Sequence, residues 1–96
     1  MSKSNGVTFD MLECIGQEVQ RQDARLNKAY KTLMVDLSPD RKKQLREAQR
    51  AWLQFRDTNC GFYYDPDGGS SARLSGNDCI MTMTAQRAQE LENLTP

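Results

Sequence analysis

The residues best equipped for chemistry are three cysteines, Cys14, Cys60 and Cys79, and the adjacent charges Arg56 and Asp57, the latter three residues before Cys60. An odd number of cysteines permits at most one intrachain disulfide and leaves a thiol over. Their spacing contains no CxxC pair and the chain has no histidine, so no common zinc site can be assembled. The lack of histidine also removes the usual general base at neutral pH, and with it Ser-His-Asp and Cys-His catalysis. Glu90 and Glu92 diverge at i and i+2 on a helix, and nothing beside Asp65 and Asp67 would tune their acidity. Asp65-x-Asp67 opens like a calcium loop, but Gly69, Ser70 and Gly76 stand where the next ligand, the turn glycine and the closing glutamate are needed. No catalytic residue, metal or cofactor is expected, and the chain reads as a non-enzyme.

The elements that must position these residues are helical. Leu12, Val19, Leu26 and Leu33 recur every seven residues, with Ile15, Ala29, Tyr30 and Leu37 on the same side. This is the apolar stripe of an amphipathic helix over 8–36, interrupted by Gln22. Ser38-Pro39-Asp40 is a helix start: a capping hydroxyl, a proline tolerated at the first position and an acid at the positive end of the dipole. The second helix should bury Leu45, Ala48, Trp52 and Phe55 while Arg41, Lys42, Lys43, Arg46 and Arg50 face water. A link of a few residues sets the two helices as an antiparallel hairpin. Residues 65–78, with three glycines and a proline, read as a loop, followed by a third helix over 79–93 capped by Asn77 or Asp78, with Ile80, Thr84, Ala88 and Leu91 inward. The expected fold is all-α, a single three-helix domain over 1–96: a hairpin, a Gly-rich loop and a third helix.

Composition sets the limits. The 96 residues are 38 % hydrophobic and 27 % charged, compatible with one small domain whose core gives little margin. Formal charge is zero, so no global field attracts nucleic acid or an acidic membrane. The charge is sorted, however: residues 57–96 hold two Lys/Arg against six Asp/Glu, and residues 1–56 eleven against seven. The basic run from Arg41 to Arg50 lacks the interleaved aromatics of a base-stacking surface, so nucleic acid is not expected as a partner. No apolar run approaches the roughly 20 residues of a membrane span, and no export signal is visible. The polar opening, residues 1–7, reads as a flexible start or as a cloning remnant standing in for such a signal.

Cys60 and Cys79 flank the glycine-rich stretch. A bridge between them would close a loop of about 20 residues and contribute roughly 3 kcal/mol in the chain-entropy model, which is large for so small a domain. The pair is therefore read as a staple; the alternative is two reduced core thiols in a cytosolic protein. Trp52, Arg56, Asp57 and Arg87 are expected to form a polar clasp at the loop root, the arginine donating to the last helical carbonyls or the loop, the carboxylate accepting from loop N–H groups or from Arg87.

Taken together, Cys14, Leu26-Asn27 and Tyr30, then Leu45, Gln49, Trp52, Arg56-Asp57 and Cys60, Gly68-Gly69-Ser70, Cys79, and Thr84-x2-Arg87-x3-Leu91 resemble the LprI-like family. These are small exported bacterial proteins named for a lysozyme-inhibiting lipoprotein. The resemblance runs over nearly the whole chain and implies a helical domain of the periplasm or cell surface with Cys60 paired to Cys79. Members often carry a further cysteine about a dozen residues before the one matching Cys14, where this chain has Ser2. That departure leaves Cys14 as a buried thiol, an interchain partner or a residue that has lost its own.

The resemblance implies a periplasmic or secreted binding protein that inhibits lysozyme or another peptidoglycan hydrolase. The loop between the paired cysteines would be presented to the enzyme through Asp65, Asp67, Gly69, Ser70, Ser71 and Arg73. A preorganised loop loses less entropy on binding, and an acidic C-terminal part suits a cationic lysozyme. The alternatives are a non-inhibitory structural or interaction module of the envelope, docking through the first two helices, and an immunity protein against a cell-wall hydrolase. Oligomeric state is not legible in the sequence.

Overall fold

A computed structural model of the chain describes residues 3–95. It contains three helices, α1 (Lys3–Val35), α2 (Pro39–Tyr63) and α3 (Gly69–Leu94), and no strand among the described residues. Of the polar opening, residues 1–2 lie outside the described residues, and α1 is already helical from Lys3. At the head of α2 the Ser38 hydroxyl accepts from the Arg41 N–H at 3.3 Å, with Pro39 and Asp40 in the first turn. An orphan donor is thereby satisfied at the positive end of the helix.

The expected loop over 65–78 is helical from Gly69 onward, and the expected capping residues Asn77 and Asp78 lie inside α3. Only Tyr64–Gly68 is left to connect the helices. Asp65-Pro66-Asp67-Gly68 carries the residue preferences of a tight turn: the Gly68 N–H donates to the Asp65 carbonyl at 3.0 Å, and the Asp65 carboxylate accepts from the Asp67 N–H at 2.9 Å. Gly69 then has φ +61°, a conformation that favours glycine. The glycines and serines that argue against a helix are overruled by tertiary anchorage. Ala72 and Gly76 are buried, and a disulfide fixes Cys79 one turn later.

As the hairpin expectation requires, α1 and α2 run antiparallel, with Asp23 and Tyr30 of α1 facing Arg46 and Leu53 of α2 across a shallow cleft, while α3 packs along both. Contacts of α3 with α2 descend as α2 advances (Gln49 with Arg87, Arg56 with Thr84, Tyr64 with Asn77), so these two are antiparallel. Arg25 of α1 reaches Gln89 and Glu92, so α3 runs alongside α1 with the same polarity as a three-helix meander requires. Leu26 and Ala29 meet Ala88 and Leu91 in the core, with Tyr30, Leu33, Leu45 and Trp52 packed around them. On α2 the buried face is smaller than expected: Leu45 and Trp52 are half-buried, whereas Ala48 and Phe55 are exposed. A helix with one neighbour instead of two buries a narrower stripe.

The principal extents are 57 × 22 × 14 Å and the radius of gyration is 16.2 Å, well above the roughly 13 Å of a compact domain of this length. Such a flat rod has little interior, and among the described residues Leu26, Ala29, Cys60, Ala72, Thr84, Ala88 and Leu91 provide its buried side chains.

Candidate functional site

The chemistry-bearing residues collect where α2 ends and α3 begins. Cys60 is buried three residues before the end of α2 and is bonded to Cys79, in the body of α3, with 5.4 Å between their Cα atoms and 19 residues between them in sequence. The staple therefore joins two helices directly, closing a short turn and the first part of α3 together. The Met83 sulfur rests 3.6 Å from Cys60 Sγ and 3.9 Å from Cys79 Sγ. Asn59 Nδ2 donates toward the same sulfurs, at 3.4 Å to Met83 and 3.7 Å to Cys79. Cys14 is a free, exposed thiol on α1, which removes the buried alternative and leaves the other two.

One turn earlier on α2, the Arg56 guanidinium lies 5.3 Å from the Trp52 ring centroid, pairs with the Asp57 carboxylate at 2.9 Å and donates to Thr84 Oγ1 at 3.3 Å. The Arg56 side chain is 15 % exposed against 63 % for Asp57, so the arginine is the structural member and the aspartate its solvated counter-charge. Thr84 is fully buried, and Arg56 satisfies its hydroxyl. The clasp thus fastens helix to helix. Arg56 meets the Thr84 side chain where end carbonyls or the loop were expected, and Arg87 bonds Gln49 at 3.1 Å and pairs with Glu90, away from Asp57.

Below the disulfide, the Tyr64 ring covers Gly76 so closely that any Cβ at position 76 would sit inside the ring. Asn77 Nδ2 donates to the Tyr64 hydroxyl and to the Arg73 carbonyl, the latter at 2.8 Å. Gly76 is thus required by a close approach that no local pattern announces.

Asp65, Asp67, Gly69, Ser70, Ser71 and Arg73 are all exposed, gathered on the turn and the first turn of α3. No side chain caps this helix start. No cluster of three metal-ligating side chains exists among the described residues. An ion pair between α1 and α3 lies elsewhere. Arg25 donates to Glu92 at 2.7 Å across α1 and α3; that hydrogen bond raises the arginine's pKa and lowers the glutamate's, partial burial opposing both.

Sequence reasoning passed over an aromatic cluster beside this site. Phe62 is 85 % exposed and Phe55 60 %, with Tyr63 and Tyr64 also exposed. The seven-residue spacing of Phe55 and Phe62 places them on one stripe of α2, and the Phe62 and Tyr63 rings meet edge to face at 6.0 Å. That spacing was the available signal, but it reads equally as core until the neighbour's position is known.

The chain is 28 % identical to an uncharacterized protein of Rhizobium meliloti (strain 1021), over 90 % of this chain and 72 % of that one. No solved structure matches it. The family model described as lysozyme inhibitor LprI matches residues 1–91, spanning all of α1 and α2 and nearly all of α3 with both bridged cysteines. On that match the chain belongs to the lysozyme inhibitor LprI family.

Proposed function

We propose that this protein acts outside the cytoplasm as an inhibitor of lysozyme or a related peptidoglycan-cleaving enzyme, docking through the end of the rod where α2 and α3 are stapled. Family membership supports the partner class, and the Cys60–Cys79 disulfide supports an oxidising compartment. The observation that carries the reading is the state of that end: a turn held by a covalent bond, Tyr64 over Gly76 and the Arg56–Thr84 bond, with exposed acidic side chains on a fixed backbone. Such preorganisation removes much of the ordering cost of binding. Residues 57–82 contain four aspartates and one arginine, a sign that steers a cationic enzyme. Asp65, Asp67, Gly69, Ser70, Ser71 and Arg73 are the proposed contacts on the turn. The role is obstruction, with no bond made or broken.

Peptidoglycan lysis by several lysozymes, measured with and without the purified chain, tests the reading. Protection is expected at micromolar protein; its absence for every enzyme tried would remove inhibition and leave a non-inhibitory envelope module. In the inhibitory case, Asp65→Asn with Asp67→Asn should weaken binding and flatten its salt dependence.

A further inference from the structure

Beside the turn, a groove between α2 and α3 is lined by Asn59 and Tyr63 on one side and by Ser75, Asp78, Thr82 and Met83 on the other, with Cys79 in its floor. The edge-to-face contact of Phe62 with Tyr63 makes the α2 side an aromatic lip. A phenylalanine left 85 % exposed next to three further exposed aromatics forms an apolar patch in a chain that otherwise hides little. Patches of this composition at one end of a small protein mark interaction surfaces, where aromatic side chains act as anchors.

We infer that this groove receives a lysine or arginine side chain of a cationic protein partner, its stem lying on Tyr63 and Met83 and its head meeting Asp78. The inference rests on the inhibitor reading above and moves the anchor of the interface from the turn to the groove beside it. The argument for this occupant is charge together with shape. Asp78 is exposed on the rim, and the hydrogen bonds among the described residues leave its carboxylate unengaged. Arg73 is the sole cationic side chain in residues 57–82. The cations are concentrated in residues 21–56, ten Lys/Arg against four Asp/Glu. The antiparallel course of α2 against α3 carries most of α2's share of them away from the turn, so the groove sits at the acidic pole. An aromatic wall attracts a cation through its ring face, and an unengaged carboxylate at the rim adds a charge-assisted bond. A long amphipathic side chain satisfies both at once.

The experiment measures binding of a c-type lysozyme to the intact oxidised chain by calorimetry, in parallel with protection from lysis. Tyr63→Ala and Asp78→Asn should each weaken binding about tenfold or more with an unchanged circular-dichroism spectrum, since neither side chain supports the core. Lysozyme with its lysine amines acetylated should bind less tightly to the wild type, and the loss should shrink for Asp78→Asn. Wild-type affinity in both variants, with protection intact, would overturn the groove assignment and leave inhibition standing. Undiminished affinity for acetylated lysozyme together with an unaffected Asp78→Asn variant would overturn the cationic side chain as occupant. A wild-type chain that neither binds nor protects would overturn both readings together.

Discussion

Where α1 lies on α3, the joint is made by close-packed side chains: Leu26 and Ala29 against Ala88 and Leu91, with Arg25 bridging to Gln89 and Glu92 at the edge. Where α2 lies on α3, Leu45 and Trp52 reach only the edge of that core, and toward the turn the joint is made by a disulfide, an arginine donating to a buried threonine and a tyrosine ring over a glycine. The first is hydrophobic and continuous, the second covalent and point-like. A helix with only one neighbour cannot bury a broad stripe, so its position must be fixed by a few strong restraints instead of many weak ones. The same arrangement leaves Phe55 and Phe62 in solvent and keeps the acidic turn rigid, and this is why the candidate site lies at the second joint.

Removing the staple should give the largest effect and test the contrast most directly. Cys60→Ser with Cys79→Ser is expected to lower unfolding free energy by about 3 kcal/mol, read by urea titration. Hydrogen exchange should accelerate in residues 56–80 while residues 24–31 and 86–91 keep their protection; equal loss at both joints would erase the distinction drawn between them. Leu91→Ala attacks the packed joint in turn. Leu91 is fully buried, and its truncation should cost roughly 2–4 kcal/mol, with the transition midpoint falling and the disulfide still formed. A midpoint within error of the wild type would show that α1 is not held there.

Gly76→Ala comes next. The new methyl must displace the Tyr64 ring, but Tyr64 is already exposed and can swing outward. The expected cost is therefore modest, about 1–2 kcal/mol, and pairing it with Tyr64→Ala should recover part of it. Additive losses in the double variant would mean that ring and glycine do not share one contact.

The smallest effect belongs to the Arg25–Glu92 pair, whose side chains keep 33 % and 37 % of their surface in water. The hydrogen bond from Arg25 lowers the Glu92 pKa in the folded chain. Its stabilisation is therefore whole above the ordinary glutamate range and is lost as pH falls through that range to the lowered native value. Acid titration of stability should be slightly shallower in Glu92→Gln than in the wild type, and identical acid limbs would remove the pair from the stability of the first joint.

The helical stripes were legible because amphipathic periodicity is local: Leu26, Ala29, Thr84, Ala88 and Leu91 are inside as their spacing requires. The start of α2 was legible for the same reason, since Ser38, Pro39 and Asp40 act on their own helix. The start of α3 was not. A run of glycines and serines has weak intrinsic preference, and only anchorage at Cys79, Ala72 and Gly76 makes it helical. Phe55 was misjudged because an apolar residue at helical spacing implies a neighbour, and α2 has none on that side. Arg25 spans two helices because Glu92 happens to stand opposite, a pairing no local spacing announces.

By itself the sequence determined that the chain is helical, where its two amphipathic faces lie, that no histidine chemistry is available and that two cysteines flank a glycine-rich stretch. Each of these follows from residue type and short-range spacing. Tertiary structure alone decided that α3 packs along both α1 and α2, that most of the glycine-rich stretch is helical, that the Tyr64 ring lies over Gly76, and that acidic and aromatic side chains share one end of the rod. Those outcomes depend on which surfaces meet across dozens of residues, a competition between burial and local preference that no window of sequence contains.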